Sequence, residues 1–161
     1  MIRSLSTDIA HSWVSAQIQD HVWVVPAFQS IHILAISALI FASFSADFAI
    51  LRRPAVAGNI PWLAGSYRWT WVALLVLLVS GAVLITGEPM RSLMNFYFRL
   101  KVVLVLVAAV LTLILQWSLT GRGRAALSRP ALTALAGLSI ATWVAILFCG
   151  RFIAYFGDLA N

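Results

Sequence analysis

A chain of 161 residues that is 62% hydrophobic and only 10% charged, with a mean hydropathy of +0.97, does not have the composition of a soluble domain, where about 25% of residues are charged. It belongs to the membrane class, and the lipid bilayer is its first partner. The net charge of +6, from 11 basic and 5 acidic residues, is no nucleic-acid signature, because the basic residues lie in short stretches between apolar runs, where they orient helices.

In chain order, Arg3 is followed by mixed residues with neither an early apolar core nor a small-residue cleavage site, so the segment reads as uncleaved. Leu5, Ile9, Trp13 and Ala16 share one helical stripe, with Asp8, His11, Ser15 and Gln19 off it. That predicts a short amphipathic interfacial helix over about 4–20. Four apolar runs then follow, roughly 26–50, 69–87, 99–119 and 131–156, each near the 20 or so residues needed to cross a bilayer. Pro26 suits the first turn of the first span. Cys149 is the only cysteine, which excludes an internal disulfide and a cysteine-based metal cluster. The expected fold is an all-α, four-transmembrane-helix bundle forming a single integral membrane domain over residues 1–161. Ala35, Ala38, Ala42 and Ala46 make a small-residue stripe on the first span that permits close helix contact. The contact lies within the bundle or between protomers, so a homo-oligomer or a larger membrane complex stays open.

Topology follows from the loops. Arg52, Arg53, Arg68, Arg122, Arg124 and Arg129 flank one side, against Arg3, Arg91, Arg99, Lys101 and Arg151 on the other. Arg99 and Lys101 lie inside an apolar run and read as site residues, so the positive-inside rule puts both termini outside, periplasmic in a bacterial inner membrane. Trp62, Trp69 and Trp117 then fall at the inner interface, and Trp13, Trp23, Tyr97 and Tyr155 at the outer one, as aromatic belts.

The first span carries Gln29, His32, Ser43 and Asp47. His32, Ser43 and Asp47 stand at offsets 0, 11 and 15, and Lys101, Thr112 and Gln116 repeat them in the third span. At about 100° per residue these offsets return to one helix face. If the two faces meet, His32 lies level with Lys101, Ser43 with Thr112, and Asp47 with Gln116, with Ser139 and Thr142 adding to the middle. For Ser43, Thr112, Ser139 and Thr142 the simpler reading is a bond to their own backbone or a neighbour, worth about 0.6 kcal/mol. Charged groups differ, since an Asp, Lys or Arg at mid-membrane costs about 2.5–3.5 kcal/mol and needs a partner or a task. Asp47 has Gln116, Arg52 or Arg53 as candidate partners, and Lys101 and Arg99 can snorkel outward. A packing histidine is as good a reading of His32 as a ligand.

The outer half thus gathers His32, Glu88, Arg91, Arg99, Lys101 and Arg151, one imidazole and an excess of cations. This suits an anionic, lipid-soluble ligand: a haem b with its iron on His32 and propionates on Arg or Lys, or a quinone-like molecule. His11 and His21 are the only other histidines, and neither lies on the third or fourth span, so a bis-histidine haem between facing helices is not supported. The functional readings are a redox-associated, electron-transfer bundle, a non-catalytic transport or channel protomer, and a scaffold subunit.

"DHVWVVPAFQSIHILAISALIFASFSADFAILRR", "GEPMRSLMNFYFRLKVVLVLVAAVLTLILQW" and the terminal "GRFIAYF" resemble a family of small four-helix bacterial inner-membrane proteins of unknown function, over nearly the whole chain. More distantly, the first-span histidine and the lysine opening the third span are similar to HemJ-type protoporphyrinogen oxidases and CopD-like copper-resistance proteins. The resemblance implies a four-helix membrane fold, places His32 and Lys101 at the positions of a haem-associated site, and implies a histidine in relatives where this chain has Gln116.

Overall fold

The computed structural model describes residues 7, 12–52, 61–87, 95–119 and 127–156. Five helices follow in order: α1 Trp13–Asp20, α2 Val24–Arg52, α3 Pro61–Gly87, α4 Phe96–Leu119 and α5 Arg129–Phe156. No strand occurs among the described residues. Helices α2 to α5 are each long and apolar enough to cross a membrane, so the protein is an all-α, multi-pass four-helix bundle. Twenty-four to 29 residues per helix correspond to about 36–44 Å at 1.5 Å per residue. This exceeds the roughly 30 Å of hydrocarbon, so helix ends reach into both interfaces.

The helices therefore overrun the apolar stretches that mark them. α3 begins at Pro61 rather than near 69. The added residues, "PWLAGSYR", are too polar for the hydrocarbon yet compatible with a helix that starts on a proline, whose missing N–H costs nothing at the first position. At α4, Asn95 Oδ1 accepts the Tyr97 backbone N–H at 2.8 Å and satisfies one of the first-turn donors. At α1, Ser12 Oγ accepts the Ser15 N–H at 3.2 Å, a second such cap. Leu5, Asp8, Ile9 and His11 lie outside the described residues.

Successive long helices are antiparallel, so α1, the start of α2, the end of α3, the start of α4 and the end of α5 share one end of the bundle. Here this is called the α1 end, and the other the far end. α2 packs on α3 and on α5, and α5 packs on α4. Leu39, Ala73, Leu74, Ala108, Trp143 and Ile146, drawn from all four spans, form the central core. Ile50, Leu115, Leu132 and Ala136 form a second cluster toward the far end. Of the alanine stripe, Ala35, Ala42 and Ala46 are buried inside the bundle, whereas Ala38 is exposed. The small residues thus serve the packing of α2 within its own chain.

The outer surface is apolar, with Leu34, Phe41, Leu75, Leu78, Leu106 and Phe148 exposed, as expected of a lipid-facing surface. Trp13 and Trp23 are exposed at the α1 end, and Trp62, Trp69 and Trp117 on the far half. Tyr97 is instead half-buried, its ring centroid 5.3 Å from that of Phe152. The side chain of Tyr155 lies outside the described residues.

Candidate functional site

At the α1 end the site begins with His32. Its Nδ1 lies 2.8 Å from Ser80 Oγ on α3, while Ser80 Oγ is 2.7 Å from the Val76 carbonyl oxygen. A serine hydroxyl has one proton, and the carbonyl can only accept it. His32 Nδ1–H therefore donates to Ser80 Oγ, which fixes the tautomer and leaves Nε2 as a lone pair. Gly81 lies beside the ring: a Cβ there would stand 3.5 Å from His32 Cε1, in ordinary van der Waals contact. Lys101 of α4 is within electrostatic reach of His32. Its Nζ lies against α5, 3.7 Å from where a Gly150 Cβ would be, with the buried Cys149 beside it. All four spans thus contribute to one level of the bundle.

The other candidates at this end sit differently. Arg99 and Arg151 are exposed and belong to the rim. Glu88 and Arg91 lie outside the described residues. Gln29 is exposed on α2. His21 is also exposed, and its Nδ1 donates to the Gln17 carbonyl at 2.9 Å.

Farther down, the polar residues take partners other than those their spacing suggested. The Ser139 hydroxyl of α5 donates to the Asp47 carboxylate, and Tyr67 of α3 is within electrostatic reach of it. Gln116 of α4 instead accepts the Trp71 indole N–H of α3 at 3.0 Å. Equal offsets along two helices fix depth but not the direction in which a face points. α2 and α4 stand diagonally, with α5 packed on both, so Asp47 meets α5 first. Thr112 and Thr142 bond the carbonyls of Ala108 and Leu138 in their own helices, at 2.9 and 2.8 Å. Ser43 Oγ is buried without a partner among the described residues.

The short helix α1 turns Ser15 into the protein. Ser15 is fully buried, with 0% of its surface exposed, and donates to the Thr86 carbonyl at 2.9 Å. Gln19 Nε2 donates to Ser15 Oγ at 3.1 Å and to the Gly87 carbonyl at 3.2 Å. These are last-turn carbonyls of α3, which have no partner in their own helix. Trp13, 76% exposed, faces away. Two residues of the predicted polar face, Ser15 and Gln19, therefore cap α3, Ser15 from a buried position and Gln19 from an exposed one.

Among the described residues no group of three or more His, Cys, Asp or Glu side chains converges to hold a metal ion. A haem would find one axial nitrogen here, Nε2 of His32. That imidazole is held between α2 and α3, the most closely packed pair of the bundle, and no second histidine faces it among the described residues. This geometry fits a porphyrin poorly. No family model, curated protein or solved structure matches the chain. Spacing along single helices did not single out Ser80, Tyr67 or Trp143. Ser80 sits one residue before Gly81 in "LLVSGAVL", and the antiparallel register of α2 and α3 is the signal that places it against His32.

Proposed function

We propose that this protein is a redox-associated inner-membrane protein that binds a quinone-like ligand at the α1 end, on the outer side of the membrane, with both termini periplasmic. The observation that carries the reading is the pairing of His32 with Ser80 beside Lys101. The Nε2 lone pair accepts a ligand hydroxyl, and the Lys101 ammonium donates to a ligand carbonyl or charged oxygen. Among the described residues Lys101 has the imidazole and the Cys149 thiol as its electrostatic neighbours, and no carboxylate. An ammonium held in a low-dielectric site favours a partner with electron-rich or negatively charged oxygens. The polar rim of Arg99 and Arg151 supports the same sign of ligand charge at the mouth. The distant likeness to haem-associated membrane proteins carries over only as the use of a first-span histidine with a lysine opening the third span.

The test is extraction and titration. Protein purified from its native membrane should release a quinone into organic solvent and rebind a short-chain quinone in lipid nanodiscs. His32→Ala and Lys101→Met should each weaken rebinding about 10- to 100-fold, the equivalent of one hydrogen bond involving a charged or strongly polar group. Protein with no extractable quinone, no rebinding and no effect of either substitution would refute the reading. A Soret band that shifts on adding dithionite would replace the quinone with a haem.

A further inference from the structure

We infer that Asp47, Ser43, Ser139, Tyr67 and Trp143 form an intramembrane proton-binding site, in which the Asp47 carboxyl exchanges a proton with internal water. The inference is independent of the quinone reading, since these residues lie toward the far half of the bundle. Its basis is a concentration of buried polar atoms. Asp47 Oδ2, Ser43 Oγ, Tyr67 Oη and Trp143 Nε1 have no hydrogen-bond partner among the described residues. Their side chains are 3%, 5%, 3% and 1% exposed, so lipid and bulk water do not serve them. Leaving such an atom unmet is unfavourable in any protein interior, and more so in lipid, where the group has no alternative partner.

The four lie on three helices at adjoining levels. Asp47 on α2 bonds Ser139 on the antiparallel α5. Four residues back along α2 is Ser43, and four forward along α5 is Trp143, one turn or about 6 Å higher on both helices. Tyr67, which packs with Ala46 of α2, approaches the carboxyl from the third helix.

The donor inventory identifies the ligand. Tyr67 and Trp143 offer donors, the Asp47 oxygen an acceptor, and Ser43 either. Water supplies two donors and two acceptors and can meet all four. A bare metal cation would bind the oxygens and leave the indole N–H, a donor only, unmet. The charged groups around the carboxyl leave the proton as its counter-charge. α2 has Arg52, exposed and five residues on; α3 has Tyr67 and the exposed Arg68; α4 presents the neutral Thr112 and Gln116; and α5 presents Ser139 and Trp143. On uptake, Asp47 gains an O–H bond as a hydronium becomes water. On release, the carboxylate is left facing the Ser139, Tyr67 and Trp143 donors.

Infrared difference spectroscopy of the full chain in lipid bilayers, stepped between acid and alkaline pH, reads this directly. The expected result is a protonated-carboxyl C=O band that titrates, shifts in D2O and is lost in Asp47→Asn. Tyr67→Phe and Trp143→Phe should each shift the band and its midpoint, which keeps the inference open to refutation if Asp47→Asn does not fold. A carboxyl band that neither titrates nor exchanges, or that survives in Asp47→Asn, would overturn it. So would a band displaced by sodium at constant pH, which would make the site a metal-cation site.

Discussion

Replacing Ser80 by alanine removes the acceptor of His32 Nδ1–H and a hydroxyl that is 1% exposed. The imidazole is then free to change tautomer and turn. Interhelical hydrogen bonds in membranes average about 0.6 kcal/mol, and a stranded buried donor costs about 1–3 kcal/mol. We therefore expect Ser80→Ala to lower stability by about 1 kcal/mol in detergent unfolding, while quinone affinity falls nearly as far as in His32→Ala. A loss of stability with unchanged affinity would make the bond purely structural. At this scale the sequence was informative about depth. The offsets set His32 and Lys101 at similar levels, and the two are within electrostatic reach. It was silent about azimuth: nothing in the spacing of Asp47 said that Ser139 would be nearer than Gln116, because a helix's rotation is settled by what packs on its other faces.

Elements show the same division between what composition dictates and what packing decides. The four spans follow from hydropathy alone, since only helices of this apolarity and length can satisfy their backbone in lipid. Their ends do not, because "PWLAGSYR" continues α3 through residues that no apolar window would include. The alanine stripe offers a direct contrast. Ala46 is 1% exposed against α3, and a leucine there should force α2 and α3 apart at a cost of about 1–3 kcal/mol. Ala38, exposed on the same helix, should accept leucine within about 0.5 kcal/mol. Thermal unfolding of the two variants side by side checks this, and equal losses would mean that the stripe serves an interface between protomers. For α1, Ser15→Ala removes the bond to the Thr86 carbonyl, worth about 1 kcal/mol. Amide hydrogen exchange over Trp13–Asp20 should then quicken about fivefold while the spans stay protected.

For the whole molecule, the contacts run α3–α2–α5–α4, leaving α3 and α4 the looser neighbours across the ring. The Trp71–Gln116 hydrogen bond bridges that gap with two long side chains. Arg52, Arg68 and Arg129 lie at the far end, and Arg99, Lys101 and Arg151 at the α1 end, so the described helices alone give no charge bias. With the remaining basic residues added, Arg53, Arg122 and Arg124 at the far end against Arg3 and Arg91 at the other, the margin is six to five, and it widens to favour an inside far end when Lys101 is held as a site residue. A reporter fused after Asn161 should accordingly be active in the periplasm. Activity in the cytoplasm would invert the bundle and move the His32 level to the inner leaflet. Neutralising Arg122 and Arg124 together should weaken the orientation bias measured by the same fusion, because acidic residues do not compensate for them.

The capping of α3 by α1 also orders events in time. Ser15 and its acceptor on Thr86 are 71 residues apart. At about 5–20 residues per second, α3's last turn leaves the ribosome roughly 4–14 s after Ser15. Through that interval α1 has nothing to cap, and its serine, buried in the folded protein, faces water or lipid headgroups. α1 therefore docks after the α2–α3 hairpin has entered the bilayer, as a latch rather than a guide. A chain stalled before Thr86 should leave α1 open to protease, and release of the full hairpin should close it.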